Sequence, residues 1–103
     1  VPAEMAEEVA HHRDELVAAI AEHDDTLMMQ YLEGEEIAPE ALRRVLRQLT
    51  IAGTYVPVLC GTALRNKGVQ PLLDAVVDYL PSPVEVPPVT GIDPNTDEVI
   101  TRT

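Results

Sequence analysis

The stretch PSPVEVPP, Pro81 to Pro88, limits what this chain can fold into more than any other feature. Its four prolines in eight residues fix four φ angles and remove four backbone donors, so neither a helix nor a central strand can run through it. The segment reads as a stiff extended linker. A boundary lies there, between the 80 residues before it and the tail. The tail after it, VTGIDPNTDEVITRT, is too short for a domain, although Asp93, Pro94, Asn95 and Thr96 are turn residues suited to joining two short strands.

The core open to those residues is aliphatic. The chain of 103 residues has no Trp, no Phe and three Tyr, at Tyr31, Tyr55 and Tyr79, so Val, Leu, Ile, Met and Ala must fill it, and it will be thin. One small domain, or a piece of a larger one, is the scale that fits. No apolar run is long enough for a bilayer, and the acidic start VPAEMAEEVAHH lacks the pattern of a signal peptide. A cytoplasmic location without membrane contact is the expectation.

Residues 2 to 23 fit one amphipathic helix. At about 100° per residue, Met5, Val9, Leu16 and Ile20 share one side, joined by Leu27 if the helix continues, while Glu4, Glu7, Glu8, His11, Asp14, Glu15 and Glu22 share the other. Asp24 or Asp25 suits the N-cap of a second helix carrying Leu27, Met28 and Tyr31 and ended by Gly34. Pro39 opens a third helix with Leu42, Val45, Leu46 and Leu49 at helical spacing, stopped by Gly53. On its outer face, Arg43, Arg44 and Arg47 are candidates to pair with the acidic helices.

The charge is distributed unevenly. Residues 1 to 40 hold twelve Asp or Glu and one base, Arg13, a net of −11, whereas residues 41 to 103 hold six acids and six bases. A field of that sign repels phosphate backbones, so no direct RNA contact is expected through the acidic face, and a basic protein is its natural complement.

The character then changes. YVPVLC, Tyr55 to Cys60, is short, apolar and β-branched, the composition of a largely buried strand limited by Pro57. The loop GTALRNKG follows, and Val69, Leu72, Leu73, Val76 and Leu80 mark a fourth helix with Pro71 in its first turn. This is a strand, loop, helix unit.

The chemistry-bearing residues are sparse. Glu8 and His11 have the i, i+3 spacing of a carboxylate-bridged metal site, but the further Glu-x-x-His and carboxylates such a site needs are missing, so no metal is expected. Cys60, the single cysteine, has no nearby histidine in sequence and no oxyanion motif, which argues for packing over nucleophilic catalysis. Asn66 and Lys67 begin like the guanine-reading Asn-Lys-x-Asp, but residue 69 is Val. No Gly-x4-Gly-Lys-[Ser/Thr] phosphate loop and no Asp-x-x-Gly occurs. Taken alone, the residues describe an acidic helical adaptor for a basic partner, with no catalytic residues.

One segment says more. Val58 to Pro83, VLCGTALRNKGVQPLLDAVVDYLPSP, resembles the end of the G domain in the elongation factor G family. Gly61, Thr62, Ala63 and Leu64 correspond to that family's Gly-Ser-Ala-[Leu/Phe] loop, the fifth GTPase motif, with Thr62 in place of the usual Ser. Val1 to Gly53, including YLEGEE at Tyr31 to Glu36, is similar to the second part of the insert inside that G domain.

The resemblance implies a mostly helical α+β fragment. Residues 1–54 would be three insert helices, 55–80 a strand, loop and helix from a P-loop GTPase sheet, and 81–103 the linker and start of a second domain. It implies a parent that hydrolyses GTP with magnesium to move messenger and transfer RNA on the ribosome, its phosphate loop, switches and Asn-Lys-x-Asp preceding Val1. Main-chain N–H groups of residues 61–64 would reach the guanine carbonyl. Glu7, Glu8, Asp14, Glu15 and Glu22 would face the basic C-terminal domain of the ribosomal stalk protein. The piece itself is expected to hold no cofactor and to be inactive alone.

Overall fold

The structure is a computed structural model and describes residues 1–102. The chain is mostly helical with one small antiparallel sheet, an α+β arrangement. Four helices, α1 (Ala6–Ala21), α2 (Asp25–Leu32), α3 (Pro39–Ile51) and α4 (Val69–Tyr79), precede the strands β1 (Val89–Ile92) and β2 (Val99–Arg102).

The helix boundaries follow local chemistry. α1 starts later than the apolar spacing predicts, because Pro2 is extended and Ala3–Met5 form a 3-10 turn. Asp24 is extended and its side chain accepts from the Leu27 amide at 3.0 Å, which caps α2 and contributes about 1 kcal/mol. Gly34 and Gly53 end α2 and α3 in the left-handed region. At these ends the Glu35 amide reaches back to the Gln30 carbonyl and the Thr54 amide to the Leu49 carbonyl, satisfying carbonyls that the helices leave unpaired. Pro39 occupies the first turn of α3, as expected.

Ile20, Ala21, Leu27, Ile37, Leu42 and Val45 are buried together where α1, α2 and α3 meet, flanked by Val17, Tyr31 and Leu46. The predicted apolar side of α1 is only half used. Ile20 is 2% exposed, whereas Met5, Val9 and Leu16 on the same side are 44%, 43% and 49% exposed. Length explains Met5 and Val9, since at 1.5 Å per residue α1 runs about 24 Å and α2 about 12 Å, so α2 reaches only the C-terminal half; Leu16 instead borders an open gap facing Leu42, Arg43 and Leu46 of α3.

The expected strand over Tyr55–Cys60 does not form. The segment has no ladder partner among the described residues; Val56 and Val58 are 81% and 90% exposed, and Cys60, expected to be buried, is exposed. A strand exists only against a neighbour, and β1 and β2 pair only with each other. What holds the segment is Tyr55, whose hydroxyl donates to the Ala19 carbonyl at 3.0 Å and lies 3.1 Å from His23 Nε2, the two rings meeting edge to face. α4 packs against α3, but Ala75 is its one buried residue, and Leu72, Leu73, Val76 and Val77 are all 46% exposed or more.

β1 and β2 form the expected hairpin, with Ile92 opposite Val99 and Val89 opposite Arg102. Asp93 builds its turn, its side chain accepting from the Asn95 amide at 2.8 Å and its own amide donating to the Glu98 carbonyl at 2.9 Å. The radius of gyration is 19.2 Å and the extents are 66 × 42 × 17 Å, well beyond the roughly 13 Å radius of a compact 100-residue domain. The chain is a flat, extended slab.

Candidate functional site

Two sets of residues remain after the core is accounted for. The first is the loop Gly61–Gly68. Thr62 and Lys67 face each other as an antiparallel bridge, the Thr62 amide donating to the Lys67 carbonyl at 2.9 Å and the Lys67 amide to the Thr62 carbonyl at 3.2 Å. Between them Ala63–Arg65 make one 3-10 turn, closed by Asn66 in the left-handed region at φ 52°. Gly68 locks the neck: with φ at +78°, a Cβ there would lie 3.0 Å from Gly61 Cα and 3.1 Å from the Cys60 carbonyl oxygen. Only glycine tolerates that approach.

The loop's amides sort into two kinds. Thr62, Arg65, Asn66 and Lys67 donate within the loop. The Gly61, Ala63, Leu64 and Gly68 amides have no acceptor among the described residues, Ala63 and Leu64 being adjacent at the tip, and the Leu64 side chain is 99% exposed. Behind the loop lies a mainly apolar hollow of about 130 Å³ between Leu59, Cys60, Ala63, Val69 and Leu72. Chemically, the loop offers two adjacent unpaired donors on a rigid turn, suited to a carbonyl oxygen.

The second set is the outward face of α1. Glu7, Glu8, Asp14, Glu15 and Glu22 are all exposed, but they are not equivalent. Asp14 accepts from the Tyr31 hydroxyl at 3.2 Å; that bond, and then the charge of the carboxylate, push the phenol above its ordinary pKa. Glu15 lies 2.9 Å from His12 Nδ1 and 3.5 Å from His11 Nε2. Glu7, Glu8 and Glu22 have no side-chain partner among the described residues and are free to meet one from outside.

The arginines of α3 correct an expectation. None pairs with the acidic helices. Arg47 donates through Nη1 to the carbonyls of Val77 at 3.0 Å and Asp78 at 2.8 Å, at the C-terminal end of α4, and through Nη2 to both oxygens of Glu85 at 2.9 and 2.7 Å. Arg43 and Arg44 form no ion pair among the described residues. The Glu85 contact is not visible in the sequence, because a proline-rich linker reads as extended and the turn at Ser82–Glu85 brings the carboxylate back to α3. The one available signal was Ser82 and Glu85 at i, i+3, the spacing of a capping box.

No group of three or more His, Cys, Asp or Glu is arranged to hold a metal among the described residues, and no helix among them is long and apolar enough to cross a membrane.

The geometry thus defines a mostly helical α+β chain with a rigid donor loop and an acidic helix face. No protein-family model matches it. Over 98% of its length it is similar, at 35% identity and a TM-score of 0.70, to a crystal structure of a protein from Thermus thermophilus whose designation states no activity. The chain spans 16% of the length of that protein.

Proposed function

We propose that the chain is a piece of a translational GTPase of the elongation factor G kind, contributing an acidic helix that meets the basic C-terminal domain of the ribosomal stalk protein and a loop that closes over guanine. The whole protein, in this reading, is cytoplasmic, binds GTP with magnesium, and couples hydrolysis to translocation on the ribosome. These residues complete the machinery and do not hydrolyse GTP alone. The observation that carries the reading is the loop with its neighbouring Ala63 and Leu64 amides unpaired, at the positions where the family resemblance calls for main-chain donors. The small side chain of Ala63 fits close approach of a planar base, while the absence of a Cβ at Gly61 makes room for the Lys67 carbonyl across the neck. The free carboxylates of Glu7, Glu8 and Glu22 support the stalk contact.

Titration with a fluorescent guanine nucleotide tests the first half. Two backbone bonds without phosphate contacts support no affinity tighter than about 1 mM, and sub-micromolar binding would overturn the incomplete-site reading. For the second half, an NMR titration with the stalk C-terminal domain compares the parent chain with Glu7→Lys plus Glu8→Lys. The double reversal is expected to weaken binding about ten-fold at low salt, and less at physiological salt where the Debye length is about 8 Å. Equal affinities would remove the acidic face from the mechanism.

A further inference from the structure

The linker between α4 and the hairpin does not simply extend. The Glu85 amide donates to the Ser82 carbonyl at 3.0 Å, and the Ser82 amide returns a bond to Glu85 Oε2 at 2.7 Å. This folds Ser82–Glu85 into a turn that presents the Glu85 carboxylate to the Arg47 fork. Among the described residues this ion pair is the one hydrogen-bonded tie between residues 81–102 and everything before them.

Among the described residues no hydrogen bond ties the hairpin itself to the helices. Every residue of β1 is exposed, and an open groove of about 690 Å³ separates the linker at Pro83, Val84 and Val86 from Val89 and Arg102. We propose that Arg47 and Glu85 form a conformational latch: closed, it fixes the direction in which the linker leaves the helices and hence the position of the β1–β2 hairpin; open, it frees the hairpin to swing about Leu80 and Pro81.

The two halves of the latch are built differently. Arg47 is held in place without Glu85, because its Nη1 stays on the Val77 and Asp78 carbonyls, where a cation is favoured by the end of α4. Its Nη2 is therefore a preset receptor, and the planar fork matches a carboxylate in a way Lys cannot. The side chains are 28% and 38% exposed, and partly exposed pairs of this kind are weak enough to open and re-form. The latch is thus a reversible fastening between α3 and the linker.

The test uses the full chain with nitroxide labels on the native, exposed Cys60 and on Thr101→Cys in β2, read by double electron–electron resonance. With the latch intact the distance distribution is narrow. Glu85→Ala, which leaves Arg47 on the α4 carbonyls, is expected to broaden it about two-fold as the linker gains freedom, with Arg47→Lys in between, while far-UV circular dichroism stays the same in all three. A distribution as narrow in Glu85→Ala as in the parent would assign the linker's direction to its prolines alone. One already as broad in the parent would show the latch open. Either result overturns the proposal.

Discussion

Ile20→Ala is expected to destabilise the helical unit by about 2–5 kcal/mol, the cost of a cavity at a fully buried aliphatic side chain. Ile20 is 2% exposed and sits in the cluster with Leu27, Leu42 and Val45. A unit of some fifty residues has only roughly 3–8 kcal/mol in hand, so the loss is a large share of its stability. Leu16, one turn away on the same side of α1 but 49% exposed, should cost less than about 1 kcal/mol as Leu16→Ala. Urea unfolding followed by far-UV circular dichroism compares the two. Similar midpoints for both variants would mean that the cluster is not the core of the unit.

Gly68→Ala is the second large effect, expected to cost about 1–3 kcal/mol and to open the loop. The added methyl meets backbone on two sides, Gly61 Cα at 3.0 Å and the Cys60 carbonyl oxygen at 3.1 Å, and the φ of +78° is strained for alanine in any space. Nothing flexible can move aside. The expected readout is loss of hydrogen-exchange protection at the Thr62 and Lys67 amides, which face each other across the neck, with α1 to α3 unchanged. Gly91→Ala is the control, since a Cβ there meets nothing within 4 Å. Preserved protection in Gly68→Ala would show that the loop does not depend on this close approach.

Much of the fold could be read from residue order because it is local. Asp24 as a cap, Pro39 as a first-turn residue, Gly34 and Gly53 as stops and Asp93 as a turn builder each act within a few residues. What could not be read depends on partners distant in sequence. Tyr55–Cys60 has the composition of a buried strand, yet composition cannot supply the neighbouring strand that would pair with it. Burial along α1 likewise depends on how far α2 reaches, which periodicity does not contain.

The candidate site divides in the same way. Exposure of Glu7, Glu8, Asp14, Glu15 and Glu22 followed from the helical wheel. The engagement of Asp14 by Tyr31 and of Glu15 by two histidines did not. The Arg47–Glu85 pair spans 38 residues and joins two segments with no shared pattern. Its geometry, and above all the hydrogen bonds from Arg47, hold the Glu85 carboxyl down at about 2. A depressed carboxyl contributes its stability in full above the ordinary Glu range and loses it progressively as pH falls from there through about 2, so the fastening weakens steadily across that acid window.

The uncovered apolar surface of α4 and the Tyr55–Cys60 segment has a consequence for thermodynamics. Val56 and Val58 in the Tyr55–Cys60 segment and Leu73 and Val77 on α4 are each more than half exposed, on a slab only 17 Å thick. Surface of that kind gains free energy from any apolar neighbour, including another copy. Pairing of copies through this surface would make the apparent melting temperature rise with concentration, a property of the solution and not of one molecule, and scans at two concentrations read it directly.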